Sequence, residues 1–421
     1  SEQILNCLTG RVIKPRTANL HKLSDPGTGE MIDRGLVLWF PGPESYTGED
    51  VCEFHVHGGQ SVTAKMLEVL SSQEHCRLAE PGEFSRRAYD NGKMDLTAAE
   101  GFADLIYSDT DAQRRQALRQ SSGELARIYE GWRKTIVEAS ALTEAGLDFS
   151  DEEDVPQSII RQAKPNISSL HASILQYLDD GRRGEILRDG YHVVIAGPPN
   201  AGKSSLLNIL ARRDAAIVSE KAGTTRDIIE VYLDLNGFPV IISDTAGIRK
   251  TQESIEQEGI NRTLKRASEA DLVVWLSDLT STEEILLPNE FQSESGKPVP
   301  VILKVDNKVD LCDGVKPDNS GNLCISALTG DGISSLISEI ARNAAELMGY
   351  GEQPVITRTR HRACLEDCVR ALDDYLKGDL ENPELRAEDL RSAASAIGRI
   401  TGRVDVEEIL DQLFGTFCIG K

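Results

Sequence analysis

The run Gly197-Pro198-Pro199-Asn200-Ala201-Gly202-Lys203-Ser204 has the spacing G-x-x-x-x-G-K-[ST]. Its glycines let backbone N–H groups turn inward around a phosphate, and a helix opening at Lys203 adds the positive end of its dipole. Lys203 then reaches the β- and γ-phosphates, and the Ser204 hydroxyl is a ligand for Mg²⁺. Asn200, Ala201, Gly202, Lys203, Ser204 and Ser205 make up this phosphate-binding half. Asp244-Thr245-Ala246-Gly247 follows, with a carboxylate that can hold Mg²⁺ through water and a glycine amide for the γ-phosphate. In Asn307-Lys308-Val309-Asp310, Asp310 can accept both the N1–H and the 2-amino hydrogens of guanine, a donor pair that adenine lacks. Ser326-Ala327-Leu328 sets a backbone N–H near guanine O6. The last two motifs are weak signals singly. In this order behind a P-loop they select guanine and disfavour a P-loop kinase.

Between the P-loop and Asp244 lies Gly223-Thr224-Thr225-Arg226-Asp227, where a switch loop supplies a second Mg²⁺ ligand, read here as Thr225. The residue after Gly247 is Ile248, which cannot orient an attacking water as the glutamine of Ras-type enzymes does. Glu256, twelve residues after Asp244, is either the substitute or an ordinary solvated helix carboxylate. Eight cysteines without a Cys-x-x-Cys pair are too sparse for a disulfide scaffold and fit a reduced, cytoplasm-like compartment. His361, Cys364 and Cys368 share a helix face but lack a fourth ligand, so they read as core residues. His55 and His57 lack a third ligand and read as serving the fold.

The elements that must position these groups are legible from periodicity. From Tyr191 onward, apolar runs at His192–Ala196, Val240–Ile242, Leu272–Leu276, Val299–Val305 and Leu323–Ile325 alternate with helical spans. That is the pattern of a mostly parallel, doubly wound sheet. Asn236-Gly237 marks a hairpin and hence one antiparallel edge strand. Residues 1–93 read as an α+β module, with strands at Arg34–Phe40 and Val51–His57 and a helix at Ser61–Leu70. From Asp95 a long helical stretch runs to about Leu147. A second helix beyond an acidic break carries the stripe Ile167, Leu170, Ile174, Leu178. The expectation is a multi-domain α/β plus α chain: residues 1–93, a discontinuous helical domain over 94–189 and 346–421, and a Ras-like P-loop domain inserted over 190–345.

The formal net charge is −22, and the helical blocks hold 21 basic against 33 acidic groups, more than half of that excess. Such a chain does not bind nucleic acid through a general positive field. RNA would have to be met locally or through a partner. Apolar runs such as Val193–Ala196 fall far short of the roughly 20 residues a membrane span needs. No secretory signal pattern opens the sequence, and its start at Ser1 rather than Met gives the expectation of a processed or partial chain.

These residues resemble one family, the tRNA-modification GTPases MnmE (TrmE) of bacteria and organelles. The resemblance is carried by GPPNAGKS at Gly197–Ser204, GTTRD at Gly223–Asp227 and the terminal Phe417-Cys418-Ile419-Gly420-Lys421. Tyr46–Asp50 (YTGED), His57-Gly58-Gly59 and Pro81–Leu96 extend it into the first module. It implies a potassium-stimulated GTPase with an N-terminal tetrahydrofolate-binding domain that homodimerises. It further implies G domains that pair across their nucleotide faces, with K⁺ replacing an arginine finger. The matching potassium positions are Asn200, Ser219, Lys221 and Thr224, and the family's catalytic glutamate falls on Glu256. Glu53, Lys93 and Lys421 match its folate contacts for 5-formyl- or methylene-tetrahydrofolate. The family has a further arginine in a first segment that, on this resemblance, is expected to align ahead of Ser1. Cys418 matches the residue proposed to attack the uridine ring, against the plainer reading of a cysteine that packs. The implied role is modification of the tRNA wobble uridine at C5, with the flavoprotein MnmG as partner. An Era/Der-like ribosome-assembly GTPase, which would carry a KH-type domain, and a purely regulatory G protein are the alternatives.

Overall fold

The computed structural model describes residues 1–148, 155–213, 215–217, 230–244, 269–281, 300–312, 322–349, 355–378, 382–404 and 406–420. Along the chain run α1 (Glu2–Thr9), β1 (Asn19–Ser24), β2 (Met31–Phe40), β3 (Val51–His55), α2 (Gln60–Ser71), α3 (Glu83–Asp90) and α4 (Leu96–Ile106). Then come α5 (Asp111–Ser121), α6 (Glu124–Asp148), α7 (Val155–Leu178), α8 (Arg183–Asp189), β4 (Tyr191–Ala196), α9 (Lys203–Ala211), β5 (Glu230–Leu235) and β6 (Phe238–Asp244). The chain continues through β7 (Leu272–Asp278), β8 (Val301–Asn307), β9 (Leu323–Cys324), α10 (Ile333–Met348), α11 (Thr359–Lys377), α12 (Pro383–Thr401) and α13 (Glu407–Gly415). Two compact units result: residues 1–106, 118–170 and 367–421 form one, and 107–117 with 171–366 the other.

In the first unit β1, β2 and β3 form an antiparallel sheet. Strand alternation turns Val37 inward onto Leu5, Leu8, Ile13, Leu23, Met66 and Val69, while Leu36 faces outward. Gly35 is required there, because a Cβ would strike the His55 carbonyl across the ladder. The strand expected to reach His57 ends at His55. The His57 N–H goes to the Asp33 carboxylate at 2.8 Å instead of continuing the ladder, and its ring binds the same group at 2.9 Å. A second core joins Leu96, Ala99 and Ala103 of α4 to Leu410, Leu413 and Phe414 of α13 and to Phe417.

The long helical stretch expected up to Leu147 is three helices. Thr110 and Gln113 form a reciprocal cap that starts α5: the Gln113 Oε1 accepts the Thr110 N–H at 3.1 Å, and the Thr110 hydroxyl accepts the Gln113 N–H at 3.4 Å. Gly123, with φ 79, separates α5 from α6. In α7 the expected stripe holds: Ile167, Leu170 and Ile174 are buried and Leu178 is half-buried.

Among the described residues the second unit is built on a six-stranded sheet in the order β5-β6-β4-β7-β8-β9, in which only β5 is antiparallel. The β5–β6 turn is Asn236-Gly237, both with positive φ (57 and 89), as the hairpin signal requires. β4 lies centrally, and only His192 along it is exposed, which is why it reads as an almost continuous apolar run. Val193 and Ile195 pack with Leu206 and Leu210 of α9 and Ile333, Leu336 and Ile340 of α10. Register pairs Ile195 with Asp244 and Asp278 with Asn307. The parallel strands therefore bring these residues to one edge of the sheet, outside the carboxyl ends where doubly wound folds bind ligands.

Candidate functional site: a nucleotide cradle at the carboxyl edge of the sheet

The loop from β4 to α9 depends on main-chain conformations that side chains rarely adopt. Gly197 (φ 147) has no room for a Cβ against the Leu276 carbonyl, and Gly202 (φ 96), the N-cap of α9, has none against the Asn307 amide. Asn200 sits between them in the left-handed region at φ 63, with its side chain exposed. Ala201 is buried and Ser205 exposed. The Lys203 Nζ donates to the Gly197 and Pro198 carbonyls at 2.9 and 2.8 Å, so its charge is held along the inner wall of the loop. Burial lowers the Lys203 pKa from its ordinary value, and the Asp244 carboxylate partly offsets this. A half-buried cation curled into its own loop is suited to an incoming polyphosphate.

The Ser204 Oγ donates to the Asp244 Oδ2 at 2.7 Å, and Asp244 is only 3% exposed. This brings a hydroxyl and a carboxylate, both hard oxygen donors, together beside the loop. That donor set suits Mg²⁺.

The far end is organised around Asn307, 2% exposed. Its Nδ2 donates to the Ala201 carbonyl at 2.7 Å, and its Oδ1 accepts the Ala327 N–H at 2.9 Å. One side chain thus joins the P-loop to the Ser326-Ala327 turn. The Ser326 hydroxyl donates to Asp310 Oδ1 at 2.5 Å and accepts the Leu328 and Thr329 N–H groups at 3.2 and 3.0 Å. The Asp310 carboxylate is fixed at one oxygen while the residue itself stays exposed. Lys308, left-handed at φ 70, donates to Asp278 Oδ2 at 2.5 Å. Asp278 is the residue that the motifs missed. A carboxylate ending an apolar strand is its only sequence signal, and the strand register reveals its partner.

Asn200, Ala201, Gly202, Lys203, Ser204, Asp244, Asn307, Lys308, Asp310, Ser326 and Ala327 therefore lie on one edge of one sheet. Ser219, Lys221, Thr224, Thr225, Thr245, Ala246, Gly247 and Glu256 lie outside the described residues, as does Lys421.

In the other unit Glu53, on β3, is about half exposed and bonds the His55 ring at 3.0 Å. Lys93 is exposed and runs beside Gly48 of the YTGED loop, where a Cβ would lie 3.2 Å from Lys93 Cε. Cys418 is a free, exposed thiol. The chain end bearing it is tied down by a bridge between Pro81 and Ile419. No hydrogen bond or ion pair joins Glu53, Lys93 and Cys418 to one another. His361, Cys364 and Cys368 form no metal cluster, nor do any other described residues.

A family model described as the MnmE helical domain matches residues 96–418, and one described as the GTP-binding protein TrmE N-terminus matches residues 1–93. The chain is similar to the tRNA modification GTPase MnmE of Parvibaculum lavamentivorans, at 51% identity over 422 residues, covering 99% of this chain and 93% of that protein. Its counterpart in Rhodopseudomonas palustris is 49% identical over 422 residues, covering 100% and 93%. That of Paramagnetospirillum magneticum is 50% identical over 421 residues, covering 99% and 93%. Together with the nucleotide cradle, likeness along the whole chain places this protein in the family of tRNA modification GTPases MnmE.

Proposed function

We propose that the chain is a potassium-stimulated GTPase that acts in modification of the tRNA wobble uridine at C5. Its domains on this reading are a folate-binding, dimerising module (residues 1–93), a helical framework (94–189 and 346–421) and a G domain (190–345). The observation that carries the GTPase reading is the pair of hydrogen bonds by which the Asn307 amide donates to the Ala201 carbonyl and accepts the Ala327 N–H, making the phosphate and base ends one site. Lys203 neutralises the β- and γ-phosphates, and Asp310 reads the guanine edge with Ser326 holding it in place. Mg²⁺ held by Ser204 and Thr225, with Asp244 acting through water, would supply positive charge to the phosphate oxygens. Water attacks the γ-phosphorus, the bond to the bridging oxygen breaks, and GDP leaves as phosphate forms, with Glu256 orienting the water.

The potassium set is Asn200, Ser219, Lys221 and Thr224; a fixed cation there would do the work of an arginine finger. Glu53, Lys93 and Lys421 would hold a tetrahydrofolate, the carboxylate meeting the donor edge of a pterin and the lysines its anionic tail or formyl oxygen. The one-carbon unit would reach uridine with the flavoprotein MnmG, Cys418 attacking C6 as a thiolate. The overall charge of −22 supports delivery of tRNA by that partner. A cytoplasmic setting accords with the free thiols and with the absence, among the described residues, of a helix long and apolar enough to cross a membrane.

Two measurements test the reading. GTP turnover should rise at least about tenfold in KCl over NaCl, and equal rates would remove the potassium claim. Wobble-uridine analysis of tRNA from a deletion strain should lack the C5 substituent; unchanged nucleosides would remove the modification role.

A further inference from the structure

Asp278 closes β7 in register with Asn307 of β8, and no nucleotide-binding motif includes it. Its two oxygens have separate partners. Oδ1 accepts the Thr280 N–H at 2.9 Å and the Thr280 hydroxyl at 2.6 Å, which orients the carboxylate; Oδ2 accepts the Lys308 Nζ at 2.5 Å. The side chains of Asp278 and Lys308 are 17% and 30% exposed, so the pair is screened far less than an ion pair on open surface. Burial, the largest influence on the Asp278 carboxyl, pushes its pKa up, but Lys308 and the Thr280 donors together hold it below the ordinary value. The Leu279 N–H also donates to the Asn307 carbonyl at 3.0 Å, binding the same turn to β8 through the main chain.

Lys308 is therefore held at both ends. Its backbone takes a left-handed conformation that lysine seldom adopts, and its ammonium is anchored to a carboxylate that is itself fixed. A free lysine has many rotamers, and ordering them on ligand binding costs affinity; a lysine ordered in advance does not carry that cost. We propose that Asp278 is a positioning residue for guanine-nucleotide binding, holding Lys308 in its bound arrangement beside the base-reading Asp310 before nucleotide arrives. This rests on the guanine-site reading above. It adds a residue that touches no nucleotide yet sets affinity for the base end, alike for GDP and GTP.

Equilibrium binding of fluorescent GDP and GTP analogues, with GTP turnover, to wild-type full chain, Asp278→Asn, Lys308→Met and the double variant tests this. Asp278→Asn should raise Kd for GDP and GTP by the same factor, about tenfold, or about 1.4 kcal/mol. KM should rise in step while kcat stays within about twofold. In the Lys308→Met background, adding Asp278→Asn should change Kd by less than about twofold, because the partner it positions is gone. Wild-type affinity in a folded Asp278→Asn protein would overturn the proposal. So would an undiminished effect in the Lys308→Met background, which would assign Asp278 to supporting the Thr280 turn alone. Should Asp278→Asn fail to fold by thermal melt, Asp278→Ser takes its place under the same criteria. Asp310→Asn separates the two levels of inference. If it leaves the preference for GDP over XDP intact, the guanine-site reading itself fails. If it reverses that preference while Asp278→Asn is silent, only the positioning role fails.

Discussion

The nucleotide cradle and the surface that carries Glu53, Lys93 and Cys418 are built to different degrees. In the cradle, the parallel strands end at one edge, and each end supplies a group already bonded to the next: Lys203 to the loop carbonyls, Ser204 to Asp244, Asn307 to both Ala201 and Ala327. On the first unit's surface, Glu53 is bonded to a neighbouring histidine, and Lys93 and Cys418 are exposed and joined to neither. A preorganised site loses much when one member is removed, because the others are already fixed around it. A set of exposed side chains acquires its geometry only when ligand or partner arrives, and single changes there act mainly on binding.

Substitutions in the two regions should differ in size accordingly. The largest expected effect is in the P-loop: Lys203→Ala should reduce GTP turnover by about 100-fold or more, as loss of one preorganised donor does elsewhere. Phosphate release under saturating GTP measures it. A drop of only severalfold would place the phosphate charge elsewhere. Gly202→Ala should come next. Its Cβ would meet the Asn307 amide in a backbone of positive φ, disturbing the bond to Ala201, and GDP affinity should fall about tenfold or more. On the other surface, Glu53→Gln should weaken tetrahydrofolate binding by about tenfold, read by titration calorimetry, through loss of one charge-assisted contact.

The smallest effect concerns acid stability of the first unit. The Glu80 N–H, with Arg77, holds the Glu83 carboxyl below its ordinary value. A carboxyl depressed in the folded state stabilises fully above its unfolded pKa, and that contribution is lost as pH falls through the lower folded value. Glu83→Gln should therefore lower the melting temperature slightly at neutral pH and reduce its fall on acidification. An acid limb identical to wild type would contradict that.

What could be read in advance follows the same division. The P-loop glycines, the Asn236-Gly237 turn and the order of the nucleotide motifs are local signals, because each residue type is demanded by its own backbone or by the ligand. The helical region was less legible. Its three-and-four apolar spacing runs on across the breaks and masks the Thr110–Gln113 cap and Gly123, although both are present in the sequence. Asp278 could not be found from spacing at all, since its partner lies thirty positions on and meets it only through strand register. The residues proposed to hold folate have no local signature. Glu53 reads as a strand carboxylate and Lys93 as a turn residue, and only likeness to a family singles them out.

The central claim is that one edge of one sheet binds guanine nucleotide through a P-loop and a base-reading carboxylate joined by Asn307. Titration calorimetry of the purified chain with GDP and with ADP tests it most directly. GDP should bind at least about 100-fold tighter than ADP, the scale expected when a site built to pair with a donor edge meets a base that lacks it. Equal affinity for the two nucleotides would contradict it.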